Sequence, residues 1–222
     1  EKNNYSETFR FLQISTDEVY GSLGKENVDF HEKYPYNPQS PYSASKASAD
    51  HLVQAWGNTY GIPVLRSNCS NNYGPFHYPE KLIPLAITNI FKDKEIPIYG
   101  NGSNIRDWLH VYDHCSALEL ILLNARIGEC FCIGGDNQIT NLELIQKICL
   151  FMNELNDHKN IKFKDATKLI KFVEDRKGHD YRYSVSNKKI SETLGWHPSI
   201  PLDKGLKLTI DWYFKNNKWW DI

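Results

Sequence analysis

Short apolar runs alternate with amphipathic helical stretches along this chain, and this alternation constrains the fold more than any other feature of the sequence. The runs predicted as strands are Phe9–Ile14 (ending at Ser15 and Thr16), Ile62–Arg66, Ile96–Tyr99 and Cys130–Ile133. The predicted helices are Pro41 to about Tyr60, Glu80–Lys92, Asp113–Asn124, a helix after Thr140 that includes Ile145 and Met152, and a last one that includes Leu202 and Phe214. Strands that alternate with helices predict an α/β fold with a largely parallel sheet.

The charge balance argues against two classes of partner. Lys and Arg total 26 against 27 Asp and Glu, and the net charge is −1, so no bulk attraction to nucleic acid or to an anionic membrane is expected. The longest apolar stretch, Ala117–Leu123, is interrupted by Glu119 and is far shorter than the roughly 20 residues of a membrane span. We therefore expect no nucleic-acid partner and no membrane partner.

The 5 cysteines indicate neither a disulfide framework nor a metal site. Cys130 and Cys132 lie in an apolar strand with no second Cys/His pair at zinc-like spacing, so their side chains are expected to enter the core. No signal peptide is recognisable, and we expect a cytoplasmic protein. The first residue is Glu1 and the only methionine is Met152, from which we expect a processed chain or a piece of a longer one.

Tyr42 and Lys46 form the first group of residues with potential chemistry. They lie four positions apart on the first predicted helix, so their side chains share one face. A nearby ammonium lowers the pKa of a phenol, which would make Tyr42 an acid or base near neutral pH, and Lys46 could reach ribose hydroxyls. An exposed helix face with no function is the commoner interpretation of this spacing alone.

Two polar segments follow predicted strands. Thr16, Asp17 and Glu18 come directly after the first strand, and Asn68–Pro75 follows the second. Ligands of parallel sheets bind beyond the carboxyl ends of the strands, so the first segment could supply a hydrogen bond, an acid and a base. The alternatives are a loop whose acids face water and an Asn/Gly turn.

Taken together, these three segments resemble the extended short-chain dehydrogenase/reductase superfamily, and within it the nucleotide-sugar 4,6-dehydratases, especially those acting on dTDP-glucose. The Asp17-Glu18 pair narrows the resemblance, because related epimerases and decarboxylases keep Tyr-x-x-x-Lys but typically lack it. Further matching motifs are Pro79–Pro84, Ile96–Gly100, Arg106-Asp107-Trp108, Asn141 and Asp175–Asp180. The resemblance extends from about Phe9 to Trp220.

The resemblance implies a reaction in three stages with NAD as cofactor. Tyr42, assisted by Lys46, would remove the proton of the sugar 4-hydroxyl while a hydride passes from C4 to NAD, and Thr16 would hydrogen-bond the same oxygen. Glu18 would then take the C5 proton and Asp17 would protonate the leaving 6-hydroxyl, after which the hydride returns to C6. Adjacent carboxyl groups raise each other's proton affinity, which helps one of them to stay protonated.

The same resemblance assigns binding residues. Tyr42, Lys46 and Asn72 would contact NAD. The residues expected around the sugar nucleotide, dTDP-glucose or UDP-glucose, are Thr16, Asn71, Lys81, Leu82, Pro97, Ile98, Tyr99, Arg106, Asn141, Asp175, Arg176, Lys177, Gly178 and His179. Arg106 and Arg176 suit a diphosphate, because a guanidinium is planar, permanently charged and bidentate. No metal is expected.

The glycine-rich turn with which this family's NAD site begins is not found in the sequence. Neither G-x-x-G-x-x-G nor G-x-G-x-x-G occurs, and Gly100–Ile105 is interpreted as a turn. We therefore expect the C-terminal part of a Rossmann-like parallel sheet plus a smaller α/β substrate domain, with about the first third of the family's fold absent. Residues 1–75 would belong to the NAD-binding domain and residues 76–222 mainly to the substrate domain, with some segments returning to the sheet.

The resemblance also implies a homodimer and a role in deoxysugar biosynthesis. Two other functions stay open at this point. One is a truncated, non-catalytic protein that binds sugar nucleotides. The other is a related UDP-sugar 4,6-dehydratase, epimerase or decarboxylase, and Asp17 and Glu18 argue against the epimerase and the decarboxylase.

Overall fold

Eight strands and seven helices form the part of the chain that the computed structural model describes, which is residues 8–26, 28–159, 163 and 165–220. The strands are β1 (Phe11–Thr16), β2 (Val64–Cys69), β3 (Asn71–Tyr73), β4 (Ile96–Tyr99), β5 (Ile105–His110), β6 (Cys130–Ile133), β7 (Gln138–Thr140) and β8 (Ile170–Val173). The helices are α1 (Pro41–Tyr60), α2 (Leu82–Phe91), α3 (Val111–Asn124), α4 (Asn141–Lys159), α5 (Lys188–Leu194), α6 (Leu202–Lys215) and α7 (Asn217–Trp220). Two short 3-10 helices cover Asp17–Tyr20 and Ala166–Leu169.

The strands of the described residues form three small sheets. The first has the order β1-β2-β6 and is entirely parallel. In the second, β5 lies between β3, to which it is parallel, and β7, to which it is antiparallel. The third pairs β4 with β8 in parallel. The predicted α/β class with a largely parallel sheet is therefore confirmed.

Helix α1 shows why local sequence signals predicted its ends. The Ser40 hydroxyl accepts a hydrogen bond from the Ser43 amide, and the Ser43 hydroxyl accepts one from the Ser40 amide, which satisfies two amides that the helix itself leaves unpaired. Pro41 occupies the first turn, where its missing N–H costs nothing. The helix ends at Gly61, which has a φ of 70° that residues with a Cβ rarely adopt.

Strand β1 departs from its prediction as a buried strand. Phe9, Phe11 and Ile14 are each more than 40% exposed. Within the described residues β1 pairs only with β2, so it is an edge strand and its side chains lack a neighbour on the other side. The observed strand also begins and ends two residues later than Phe9–Ile14, because it continues through Ser15 and Thr16.

The apolar side chains gather in three cores. The largest joins α2, α4, α6 and β4, and includes Ile87, Ile98 and Ile145. A second lies between α3, α5 and the sheet formed by β1, β2 and β6. The third packs the segment around Val19 and Phe30 against Tyr183 and Val185. No helix in the described residues is both long enough and apolar enough to cross a membrane.

A buried carboxyl group ties α1 to the first sheet. Oδ2 of Asp50, on α1, accepts hydrogen bonds from Ser15 Oγ at 2.7 Å, from Tyr36 Oη at 2.9 Å and from Asn68 Nδ2 at 3.2 Å. Asp50 is 0% exposed. Ser15 precedes Thr16 and Asn68 lies on β2, so this one oxygen connects the helix to the ends of two strands.

Replacing Asp50 by alanine is expected to lower the free energy of unfolding by about 3 kcal/mol, because two buried donors and one partly buried donor lose their acceptor. Asp50→Asn retains one acceptor oxygen and should cost about 1 kcal/mol. Urea denaturation followed by circular dichroism measures both variants. Equal stability of the Asp50→Ala variant and the unchanged chain would contradict this role.

Candidate active site

The candidate site forms where β1 and β2 end side by side. Thr16 pairs with Cys69 in the parallel register of these strands. The Thr16 hydroxyl accepts a hydrogen bond from the Glu18 amide at 3.3 Å and thereby caps the 3-10 helix that begins with Asp17. This cap turns the chain sharply at the end of β1, so that Thr16, Asp17 and Glu18 come directly after the strand.

The two adjacent carboxyl groups lie in different surroundings. Asp17 is 2% exposed, and burial, helped by the charges of Glu18 and Asp107, raises its pKa well above the usual range. Burial also raises the pKa of Glu18, but the positive charge of Arg106 opposes this shift. The expected increase in proton affinity is therefore present, although burial is a larger cause of it than the neighbouring carboxylate.

Tyr42 lies within electrostatic range of this pair. Its pKa is raised, first by burial and then by the charges of Glu18, Cys69 and Asp17. The expectation that Lys46 lowers the pKa of Tyr42 is wrong for this structure. Lys46 Nζ donates a hydrogen bond to the main-chain oxygen of Ile14 at 2.9 Å, so its ammonium is held at β1.

Asn71 and Asn72 enter the site from the next segment of chain. Both belong to β3, and Asn71 pairs with Trp108 of β5. Asn72 Nδ2 donates to Cys69 Sγ at 3.3 Å and to Ser70 O at 3.1 Å. The side-chain oxygens of both asparagines are buried, and neither has a hydrogen-bond partner among the described residues. Buried polar atoms of this kind are unusual unless a ligand or water pairs with them.

Arg106 is more deeply buried than expected for its predicted role as a diphosphate ligand. It is 7% exposed. Nη1 donates to the main-chain oxygens of Ile105 at 2.8 Å and Tyr181 at 3.4 Å, and Nη2 donates to that of Asp180 at 3.0 Å. Its charge nevertheless acts on both Asp17 and Glu18, so the guanidinium borders the carboxyl pair.

A second group of predicted residues clusters around the end of β4. His179 Nδ1 lies 2.6 Å from Asp175 Oδ1, and the Arg176 guanidinium lies 5.1 Å from the ring centre of Tyr99. The hydrogen bond with His179 lowers the pKa of Asp175. Burial lowers the pKa of His179, and its Nε2 has no partner among the described residues. Gly178, next to Lys177, has a φ of 69° and forms the turn between these groups.

The two clusters lie within electrostatic range of each other. The charges of Arg176 and Lys81 both lower the pKa of Glu18, and the charge of Arg106 lowers that of His179. Charged residues that are distant in the sequence therefore lie within electrostatic range of the carboxyl pair, Asp180 among them, whose charge raises the pKa of Glu18.

The remaining predicted binding residues differ in accessibility. Lys81 is exposed, and its Nζ lies 3.3 Å from Oε1 of Glu80. Leu82 is the first residue of α2. Asn141 begins α4, and its buried Oδ1 has no partner among the described residues. Pro97 is half-buried, but Ile98 is 1% exposed and its side chain belongs to the largest core. Any contact of Ile98 with a ligand therefore has to come from its main chain.

Two buried residues, Asp107 and Tyr183, contribute to the site although no role for them was predicted from the sequence. The Asp107 carboxylate accepts hydrogen bonds from the amides of Gly135 at 2.8 Å and Asn137 at 2.7 Å, and its charge raises the pKa of Asp17. The Tyr183 ring lies 4.4 Å from the Arg106 guanidinium. Asp107 belongs to the Arg106-Asp107-Trp108 motif, but no local sequence pattern indicates that its side chain is buried. No sequence feature points to a role for Tyr183.

Several known proteins are similar to this chain in sequence or in fold. Two dTDP-glucose 4,6-dehydratases, from Neisseria meningitidis and Xanthomonas campestris, are 51% and 48% identical over 96% of this chain. The crystal structure of dTDP-glucose 4,6-dehydratase from Bacillus anthracis in complex with NAD has a TM-score of 0.86 and 47% identity, covering 96% of this chain and 64% of that one.

A UDP-glucuronic acid 4-epimerase structure from Bacillus cereus, with UDP-glucuronic acid and NAD, has a TM-score of 0.80 and 25% identity over 93% of this chain and 62% of that one. The chain spans about 60% of the length of the curated relatives named above. The resemblance to nucleotide-sugar 4,6-dehydratases is thus confirmed. The sequence model of the GDP-mannose 4,6 dehydratase family matches residues 1–209, and the chain belongs to that family.

Proposed function

We propose that this chain carries the acid–base residues and the sugar-nucleotide site of a dTDP-glucose 4,6-dehydratase, which removes water from dTDP-glucose to give dTDP-4-keto-6-deoxyglucose. The observation that carries the proposal is the pair Asp17 and Glu18, two adjacent carboxyl groups of unequal burial within electrostatic range of Tyr42. The dTDP-glucose 4,6-dehydratases among its relatives support the choice of substrate.

The elimination needs an acid and a base side by side, and the environments of the pair supply both. Asp17 is the acid, because burial raises its pKa and so favours the protonated carboxyl group. Glu18 is the base, because it is less buried than Asp17 and the charges of Arg106, Arg176 and Lys81 favour its carboxylate. Glu18 accepts the C5 proton, and Asp17 gives its proton to the 6-hydroxyl as the C6–O bond breaks and water leaves.

The 4-hydroxyl of the sugar is the group on which Tyr42 acts. Thr16 Oγ1 holds this oxygen by a hydrogen bond, and Tyr42 Oη takes its proton. Because Glu18 and Asp17 raise the pKa of Tyr42, protonation of Asp17 removes one of the negative charges that oppose phenolate formation. The two acid–base steps are therefore coupled through charge.

The residues at the nicotinamide end of the predicted cofactor site fit NAD. Asn72 offers a buried side-chain oxygen that lacks a partner among the described residues. The Lys46 ammonium is bonded to the carbonyl of Ile14 on β1, and Tyr42 lies one turn before Lys46 on α1. We assign these three residues to the nicotinamide riboside. When bound, NAD supplies the oxidation at C4 and the reduction at C6, which leave the overall redox state of the sugar unchanged.

The sugar nucleotide binds beside the carboxyl pair. Arg176 and Lys81, whose charges reach Glu18, supply positive charge for the diphosphate. The N–H groups of Arg106 that do not bond to main-chain oxygens supply more. The remaining binding residues are proposed as predicted: Asn71, Leu82, Pro97, Ile98 (main chain), Tyr99, Asn141, Asp175, Lys177, Gly178 and His179. A dTDP-glucose 4,6-dehydratase structure from Streptomyces venezuelae with NAD and TYD bound, 42% identical with a TM-score of 0.84, supports the choice of ligands.

We propose the domain division expected from the sequence. Residues 1–75 belong to the NAD-binding part and residues 76–222 mainly to the substrate part. The pairing of β6 with β2 supports the return of a later segment to the first sheet.

We also propose a reducing, cytoplasmic location. The support for this is that the cysteines are free thiols, namely Cys69, Cys115, Cys130, Cys132 and Cys149.

The test of the function compares the unchanged chain with Glu18→Gln in the presence of dTDP-glucose and NAD. The unchanged chain is expected to form the 4-keto product, and the variant to form it at least about 100-fold more slowly, because the C5 base is gone. Thymidine diphosphate should bind both with the same Kd within about twofold. Mass spectrometry follows product and calorimetry measures binding.

Glu119→Gln, an exposed position on α3, is the matched control and should turn over normally. Binding without product in the unchanged chain would favour the non-catalytic binding protein. Normal product formation by Glu18→Gln would show that another group is the base.

The raised pKa of Asp17 predicts a pH-dependent cost in stability. Its pKa is higher in the folded than in the unfolded chain, so its contribution to stability is present at low pH and is lost as pH rises toward the folded value. Asp17→Asn should therefore be more stable than the unchanged chain at pH 7, and the difference should shrink toward pH 4. Urea denaturation at both pH values measures this, and a pH-independent difference would contradict it.

We also propose a homodimer that forms through α1. Leu52, Trp56 and Tyr60 lie at intervals of four residues on this helix and are each more than half exposed, and the ring centres of Trp56 and Tyr60 are 4.7 Å apart. This spacing gives one apolar stripe, which suits contact with the same stripe of a second chain.

Trp56→Glu is expected to shift the chain from dimer to monomer in sedimentation velocity, because it introduces a charge into the stripe. Asn58→Glu, on the opposite side of the helix and exposed, is the control and should remain dimeric. A monomeric unchanged chain, or dimers of both variants, would contradict this interface.

A further inference from the structure

Arg106 is fixed by a short segment that is distant in sequence. Three of the five N–H donors of a guanidinium go to main-chain oxygens, and two of these belong to Asp180 and Tyr181. The segment itself is anchored to β5, because Ile105 N donates to Tyr181 O at 2.8 Å and Tyr183 N donates to Ile105 O at 3.2 Å. The guanidinium therefore sits in a cradle of main-chain acceptors.

Tyr183 closes one face of this cradle. Its ring centre lies 4.4 Å from the Arg106 guanidinium carbon, within the range of a cation–π contact. Its hydroxyl donates a hydrogen bond to the Asp180 carboxylate, and Asp180 O accepts from both Arg106 and Asn104. Tyr183 is 5% exposed, so water competes little with the stacking. The ring and the carbonyls together fix both the plane of the guanidinium and its rotation within that plane.

Part of the guanidinium stays available to a ligand. The Nε–H and one Nη2–H donate no hydrogen bond to the described residues, and Asp17 and Glu18 lie within electrostatic range of the charge. Two donors of a rigid planar group recognise a phosphate or carboxylate through paired hydrogen bonds. A tilt of the plane would misdirect both donors while leaving the charge in place.

We propose that Tyr183 is a positioning residue that acts through Arg106, setting the plane in which this guanidinium meets the diphosphate of the sugar nucleotide. The inference rests on the proposed function, because it assumes that Arg106 binds the diphosphate. Tyr183 is not placed in the catalytic set, because its hydroxyl donates to the Asp180 carboxylate and its ring lies against the Arg106 guanidinium.

A double-mutant cycle separates positioning from general packing, because Tyr183 also belongs to the third core. The proteins are the unchanged chain, Tyr183→Leu, Arg106→Lys and the double variant, and calorimetry measures the Kd of thymidine diphosphate for each. Tyr183→Leu is expected to weaken binding about tenfold. Lysine has no plane to orient, so Tyr183→Leu should change the Kd by less than about twofold in the Arg106→Lys background.

Tyr183→Phe keeps the ring and should bind within about threefold of the unchanged chain. If Tyr183→Leu does not fold by circular dichroism, Tyr183→Met, which fills similar space without a ring, takes its place. Equal losses in the arginine and lysine backgrounds, or an unchanged Kd in folded Tyr183→Leu, would overturn the inference while the proposed function stands. No binding of thymidine diphosphate by the unchanged chain would overturn both.

Discussion

A single buried carboxyl oxygen sets the geometry on which the rest of the site depends. Asp50 Oδ2 collects donors from Ser15, Tyr36 and Asn68, and so holds α1 against the ends of β1 and β2. Thr16 follows one of these donors directly, while Tyr42 lies two turns earlier on the helix that carries Asp50. The position of the Thr16 hydroxyl relative to the Tyr42 phenol therefore depends on hydrogen bonds to the carboxyl group of Asp50, which is fully buried.

The chemistry of the carboxyl pair follows from position more than from residue type. Asp17 and Glu18 are neighbours in the chain, yet Asp17 is almost fully buried and Glu18 is only partly so. Desolvation therefore raises the pKa of both, and the Arg106 charge opposes the shift at each. Neighbouring groups with separated proton affinities are the arrangement that acid–base catalysis requires, and here unequal burial produces it.

Much of this arrangement could be predicted from the sequence where a local pattern determines the structure. The ends of α1 follow from Ser40, Pro41 and Gly61, and the strand Cys130–Ile133 was predicted with its observed bounds. Strands β3 and β7 are three residues long, too short for a periodic pattern. The exposure of β1 depends on which strands flank it, and the carbonyls that hold Arg106 come from residues 180 and 181, which no local pattern connects to it.

The hydrogen bond from Lys46 Nζ to the carbonyl of Ile14 changes how a ligand would meet this lysine. A free lysine side chain loses up to roughly 2 kcal/mol of rotamer entropy when it is ordered. Here the ammonium is already anchored to the edge strand, and with three donors it keeps two for other acceptors. A ribose that bonds to it therefore meets a preorganised group, and most of that entropic loss belongs to folding of the chain rather than to association.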